Sequence, residues 1–325
     1  MDDILVTGGA GYIGSHAVVG LAAAGFHPVT LDNLSEGHRA AVLEGDLEVG
    51  ELSDESFLDD VFERYRFRAV MHFASRCYVG ESVRDPRIYY EQNLGHALTL
   101  FRVMLRHDVR AFILSSTCAT YGNPLSIPMS EDHPQDPVNP YGETKYFIER
   151  MLREYDRAYG LRHVKLRYFN AAGASPDGRI GEAHDPETHL IPLILEAGLG
   201  SRECVEIFGN DYPTVDGTCI RDYIHVVDLA RAHVRALEWL LAGRESAAFN
   251  LGTGRGFSVL EMVETARGIT DRDIPVRFGP RRPGDPPELV ADPSKAREQL
   301  GWSAECSELS VILETAWQWA CHRRY

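Results

Sequence analysis

The stretch that most constrains this chain is "ILVTGGAGYIG" at residues 4–14. An apolar run leads at once into glycines at 8, 9, 11 and 14, and then into a helical pattern. A buried strand must here turn sharply into a helix, and glycine permits that turn. The spacings Gly9-x-Gly11-x-x-Gly14 and Gly8-x-x-Gly11-x-x-Gly14 keep the backbone bare where the helix begins. Free N–H groups and the helix dipole favour an anion there, and a dinucleotide pyrophosphate suits the glycine spacing. The motif carries that meaning only with a strand before it and a helix after it, and both are predicted here.

The residues that follow keep the same grammar. Strands are predicted at "HPVTLD" (27–32), "LEVG" (47–50), "RAVMHFA" (68–74), "RAFILSS" (110–116) and "HVKLRYFN" (163–170). Helices are predicted between them over 12–24, from Asp54, through 86–106 and from Pro140. Near-continuous apolar strands alternating with helices predict an α/β fold, a Rossmann-like doubly wound parallel sheet covered on both faces. After Asn170 the pattern becomes irregular: "VEIFG" (205–209), a helix near 226–242, "AFNLG" (248–252), and helices near 258–268 and 308–320. This predicts a dinucleotide-binding domain over 1–170 and a smaller α/β lobe over 171–325. A later segment near 225–252, with its strand at 248–252, is expected to return to the first sheet.

Asp32 ends the second strand, 18 residues past Gly14. An acid in that place bonds a ribose 2′-OH. The following "NLSEG" has no cation to receive a 2′-phosphate, so NAD is expected rather than NADP. The formal charge of −15 argues against nucleic acid or an anionic membrane as partner. No apolar run reaches the ~20 residues of a membrane span. The opening "MDDILVTGG" has no basic stretch, so no targeting peptide is expected and a cytoplasmic location is. Six cysteines without a CxxC pair read as reduced thiols.

Only three of the 33 basic residues are lysine: Lys145, Lys165 and Lys295. Lys145 lies in "NPYGETKYF" (139–147), four residues after Tyr141. Asn139 and Pro140 suit a helix cap and its first position, so Tyr141 and Lys145 share one helix face. Chance would place such a pair somewhere in this composition about one time in eight, so the pair alone decides little. A tyrosine acting as base near pH 7 needs about 4 kcal/mol of help. One cation at ~6 Å supplies a little under 3. The pair is competent only beside an oxidised, cationic cofactor, which the glycine loop predicts. Thr117 ends the strand "ILSST", where open α/β sheets gather functional groups. Its hydroxyl could bond a substrate oxygen and relay a proton to Tyr141.

Taken together these residues resemble the extended short-chain dehydrogenase/reductase superfamily, and more narrowly the UDP-glucose 4-epimerases. "TGGAGYIGSH", "DNLSEGHR", "HFASRCYVGESV", "SSTCATYGNP", "NPYGETK", "LRYFNAAGA", "FGNDYPTVDGTCIRDYIHVVDLA", "FNLGTGRGFSV" and "RRPGDPPELVADPSKA" carry the resemblance across essentially the whole chain. It implies that Gly8, Gly11, Tyr12, Ile13, Gly14, Asp32, Asn33, Glu51 and Leu52 line the adenosine and pyrophosphate of NAD. It implies that Phe73, Ala74, Ser75, Asn93, Lys145 and Phe169 hold the rest. Thr117 and Tyr141 would meet the hexose O4. Asn170, His189, Leu190, Phe208, Arg221, Arg282 and Asp285 would hold a UDP-hexose. The implied reaction is oxidation at C4, rotation of a 4-keto sugar and reduction from the opposite face, in a homodimer.

Three positions depart from the family pattern. Glu51 stands where Asp is usual. Cys77 stands where Lys is frequent near the cofactor. Leu289 borders the hexose C2 side and is intermediate between bulky residues that exclude N-acetyl groups and small ones that accept them. A nucleotide-sugar 4,6-dehydratase would need an Asp-Glu pair after Thr117, and Cys118-Ala119 stand there instead. A non-catalytic dinucleotide-binding module has no need of Thr117, Tyr141 and Lys145 together. His184 and His189 form no HExxH pattern, and no metal is expected.

Overall fold

A computed structural model describes residues 1–282 and 284–325. In chain order its elements begin β1 (Asp3–Thr7), α1 (Tyr12–Ala23), β2 (His27–Asp32), β3 (Asp46–Val49), α2 (Glu55–Arg64) and β4 (Phe67–His72). There follow α3 (Val79–Arg84), α4 (Pro86–Tyr89), α5 (His96–Arg106), β5 (Ala111–Thr117), α6 (Pro140–Tyr159), β6 (Arg162–Tyr168) and β7 (Asn170–Ala172). Next come α7 (Leu190–Gly198), β8 (Val205–Phe208), β9 (Ile220–Arg221), β10 (Tyr223–His225), α8 (Val226–Leu241) and β11 (Ala247–Leu251). The chain closes with β12 (Phe257–Ser258), α9 (Val259–Thr270), β13 (Val276–Gly279), β14 (Glu288–Leu289) and α10 (Leu309–Cys321).

Seven strands form one sheet in the order β11-β6-β5-β4-β1-β2-β3. Every pairing in it is parallel. The strand order reverses beside β1, the switch point at which such sheets bind ligands. Both faces are covered. On one, Leu58, Val61, Leu100, Phe101, Ile148 and Leu152 pack against Leu5, Val70, Phe112 and Leu114. On the other, Val18, Leu21, Leu229 and Leu237 pack against Ile4, Val6, Ile113 and Leu166. Alternate side chains of each strand thus enter opposite cores, which is why the strands read as unbroken apolar runs. α1 packs on α8 at Gly20, where even a Cβ would make ordinary contact, 3.5 Å from Val234 and 3.7 Å from Ala230.

The helix ends follow the local chemistry. Asp54 caps α2 by accepting from the Phe57 N–H, and Asn139 caps α6 by accepting from the Gly142 N–H. The expected helix through 86–106 forms without a break, as α4, a π-helical turn and α5. Asp85 before Pro86 leaves the helical region, which separates α3 from α4. A π-helical turn over Tyr90–Gly95 then precedes α5.

The expected return of 248–252 to the first sheet occurs: β11 pairs with β6. Ala296, Leu300 and Trp302 join the same core, which the sequence reading did not anticipate. The remaining elements gather around a separate apolar core that includes Ile191, Ile194, Met262, Val263, Ile312 and Leu313. They carry the small sheets β10-β7, β12-β9-β14 and β13-β8. α7 was not expected, because its "HLIPLILEAG" begins beside a Pro and follows a loop-like stretch. Among the described residues no helix is long and apolar enough to cross a membrane.

Candidate active site

The glycine turn is built by close backbone approach. Gly8 has φ +72°, and a Cβ there would sit 2.5 Å from the Ala74 nitrogen. A Cβ on Gly14 would stand 2.1 Å from the Gly8 carbonyl oxygen. Gly11 differs: its Cβ would meet only the Gly8 oxygen, at 3.4 Å, so its outer side is bare. Gly11 is also the N-cap of α1, which has no side-chain cap and no acid in its first turn. These are the conditions for an anion at a helix N-terminus, and a dinucleotide fits them.

Asp32 is buried at the end of β2. Its carboxylate accepts from the Ala10 N–H at 3.0 Å and the Leu34 N–H at 2.9 Å, which points it across the glycine turn. Asn33 donates to Glu51 at 3.0 Å, so the longer acid at 51 is still tied to the end of β2. Leu52 is buried beneath them. Phe73 and Ala74 both donate their N–H to the Thr7 carbonyl, at 2.9 and 3.0 Å. Ser75 donates to the Arg76 carbonyl. The Tyr12 phenol donates to the Gly173 carbonyl at 2.6 Å, tying the helix of the glycine loop to the later chain. Ile13 packs against the core. Only the backbone of these two residues remains for a phosphate.

Asn93 is buried and tied to the turn after β4. Its amide accepts from the Arg76 N–H and donates to the Arg76 carbonyl and to Thr144. Both donors are used within the protein. The residue holds the turn after β4 against α6.

At the carboxyl end of β5 three side chains converge. Thr117 accepts from the Ala119 N–H at 3.1 Å, and its hydroxyl lies close enough to the Tyr141 phenol to act on its pKa. Lys145 is 2 % exposed and donates to the Ser115 carbonyl at 2.9 Å. Burial pulls its ammonium down from 10.5 to about 8. Burial also raises the Tyr141 phenol well above 10, and the nearby Thr117 hydroxyl lowers it only in part. In the protein alone desolvation therefore sets the sign of the shift.

Sequence reasoning missed the frame behind these residues. Glu149 and Arg167 form a buried ion pair at 2.6 Å. Glu149 also accepts from Ser116 at 2.6 Å, and Arg167 lies 5.1 Å from the centre of the Tyr121 ring. The Tyr121 phenol donates to Asn250 on β11 at 2.6 Å. This network locks β5, α6, β6 and β11 just below Thr117 and Tyr141. Two signals were legible. Glu149 follows Lys145 by four residues on the same helix face, and a charge within the apolar "HVKLRYFN" needs a buried partner.

The residues assigned to a sugar nucleotide fall in two groups. Asn170 donates to the Asp222 carbonyl at 3.0 Å, and Arg221 on β9 pairs with Leu289 on β14. Leu289 packs with Tyr121, Met129, Phe169 and Cys118, bringing this group beside the end of β5. Arg221 reaches Asp285 at 3.2 Å, and the Arg282 guanidinium lies 4.7 Å from the centre of the Phe208 ring. Asp222, which was not singled out, organises the group: its carboxylate accepts from the N–H groups of Thr253, Gly254 and Ala291. In the second group, His189 is the N-cap of α7 and Leu190 its first residue. His189 contacts Glu182 at 2.8 Å and Glu187 at 3.3 Å. Burial would lower its pKa, but these carboxylates outweigh it and raise it to about 11.

The chain matches the NAD dependent epimerase/dehydratase family over residues 4–252. It is 52% identical over 322 residues to a UDP-glucose 4-epimerase of Rhizobium meliloti, covering 99% of this chain and 98% of that one. It is 52% identical over 316 residues to a UDP-glucose 4-epimerase of Halalkalibacterium halodurans, covering 97% and 95%. A crystal structure of UDP-glucose 4-epimerase from Brucella ovis in complex with NAD superposes with a TM-score of 0.96 at 50% identity, covering 98% of each chain. With a bare glycine turn at the switch point of a parallel sheet and this likeness along its full length, the chain belongs to the NAD dependent epimerase/dehydratase family.

Proposed function

We propose that this chain is a UDP-glucose 4-epimerase that interconverts UDP-galactose and UDP-glucose with bound NAD. The observation that carries the proposal is the meeting of Thr117, Tyr141 and buried Lys145 at the carboxyl end of β5. The strand lies in the same sheet as the glycine turn. The backbone of Gly8, Gly11, Tyr12, Ile13 and Gly14 receives the pyrophosphate. Asp32, Asn33, Glu51 and Leu52 bound the adenosine, and Phe73, Ala74, Ser75 and Phe169 line the remainder. When bound, NAD supplies a hydride acceptor at the sugar C4 and returns the hydride to either face.

The chain's own residues manage the proton and the position. Tyr141 takes the proton of the 4-hydroxyl, and Thr117 holds that oxygen beside the phenol. The Lys145 ammonium, presented by the Ser115 carbonyl, bonds a ribose hydroxyl and favours the phenolate. The high pKa of Tyr141 without ligand keeps the base protonated until a cationic ring lies beside it. Arg221 and Arg282 suit the diphosphate, since guanidinium groups match phosphate geometry. Asn170, His189, Leu190, Phe208 and Asp285 complete the nucleotide-sugar site. The UDP end anchors the molecule while the sugar turns, which is the use of remote binding energy. Leu289 would leave room for some N-acetylated substrate. Residues 1–170 with 225–252 form the cofactor domain, and the rest of 171–325 the sugar-nucleotide lobe. A cytoplasmic homodimer serving galactose metabolism is the proposed setting.

The test supplies UDP-galactose and UDP-N-acetylgalactosamine separately, without added NAD, and resolves the products. The C4 epimer of at least the first is expected. If neither substrate is converted while the protein is shown to contain NAD, the proposal fails. Tyr141→Phe should abolish turnover with NAD still bound, and full activity would overturn the assignment of the base.

A further inference from the structure

The geometry points to a divalent metal site of the zinc class at Glu182, His184, Glu187 and His189. These residues belong to one short loop, "EAHDPETH", before α7. One ligand atom from each lies within 4.8 Å of the others. The Nδ1 atoms of His184 and His189 stand 3.3 and 2.8 Å from Glu182 Oε1. They stand 3.6 Å from Glu187 Oε2 and 3.3 Å from Glu187 Oε1, respectively. Zinc bonds of about 2.0–2.2 Å imply a tetrahedron with edges of roughly 3.3–3.6 Å. Three of the four separations fall there, and the fourth, 2.8 Å from His189 to Glu182, is shorter.

Two further observations point to a ligand. The Glu187 side chain is 3 % exposed, and its Oε2 is a buried atom with no hydrogen-bond partner. The other oxygen, Oε1, accepts from the Thr188 and His189 N–H groups, which aims Oε2 into the cluster. The His184 Nδ1 is likewise buried without a hydrogen-bond partner. A buried acceptor so left costs stability, and a cation would satisfy it. Two imidazoles and two carboxylates are the ligand set of a borderline divalent ion such as zinc rather than of magnesium or calcium. The metal would fix the loop beneath the first turn of α7. It would therefore position His189 and Leu190 without entering the reaction at Tyr141.

The test uses the untagged full chain, dialysed against EDTA and then titrated with Zn²⁺ in the presence of a competing chromophoric chelator. One tight equivalent per chain is expected. The doubly substituted chain, His184→Gln with Glu187→Gln, should bind one equivalent fewer. Equal stoichiometry in the two proteins overturns the site. Should the substituted chain fail to fold by circular dichroism, Co²⁺ added to the unsubstituted chain decides alone. Intense tetrahedral d–d absorption without thiolate charge transfer is the expected spectrum. Weak octahedral absorption, or thiolate bands from any of the six cysteines, overturns the site.

Discussion

Lys145→Met should make the protein more stable near neutral pH and inactive. The Lys145 side chain is 2 % exposed, and burial takes its pKa from 10.5 to about 8. That drop corresponds to roughly 3 kcal/mol of cost for holding the ammonium charged in the folded state. Met is nearly isosteric and removes the charge. It also removes the bond to the Ser115 carbonyl, which is worth about 1 kcal/mol. The net expectation at pH 7 is a gain of about 2 kcal/mol. The sign with pH follows from linkage. Between about 8 and 10.5 the folded lysine binds fewer protons than the unfolded one, so wild-type stability rises through that window relative to Met. Near pH 10 the remaining cost is under about 1 kcal/mol, and the advantage of Met should be nearly gone. The assay is urea unfolding of both proteins at pH 7 and pH 10, with matched NAD content because bound ligand adds stability. A Met variant less stable than wild type by the same amount at both pH values would refute the reasoning. Lys145→Arg completes the comparison: a guanidinium stays charged at every pH and is larger, so it should be destabilised and impaired despite keeping the charge.

Gly14→Ala should lose NAD and activity together, because its Cβ would stand 2.1 Å from the Gly8 oxygen and must push the turn open. Retained NAD in the purified variant, measured after acid release, would contradict the packing argument. Glu149→Gln should cost about 3–5 kcal/mol in urea unfolding, since it leaves Arg167 buried without its partner. A loss below about 1 kcal/mol would mean that the pair is less committed than its geometry states. Activity of that variant at low temperature should also fall, because Ser116 and the end of β5 lose their anchor.

Most of the architecture and part of the site follow from local rules that a sequence displays. A glycine turn between an apolar strand and a helix leaves few alternatives, and the repetition of strand and helix extends it into a parallel sheet. Asn139 and Pro140 start α6 by capping chemistry alone, which puts Tyr141 and Lys145 on one face. What lies across the chain is different in kind. Glu149 meets Arg167, Asp222 gathers the turns at 253–254 and 291, and Ala296, Leu300 and Trp302 reach the first core only through the fold. The start of the helix at Pro86 was legible in its proline, yet the π turn that brings Asn93 to Arg76 and Thr144 was not. The sign of the Tyr141 shift also required the fold. The nearby cation can be read from spacing, but the loss of water around the phenol depends on everything packed over it. Sequence by itself determined the turn, the run of strands and helices, and the shared helix face of Tyr141 and Lys145, because those rest on neighbours a few residues apart. Only the tertiary structure decided which charges are buried, which amides are already satisfied and which carboxylates converge, because desolvation and hydrogen bonding are set by residues distant along the chain.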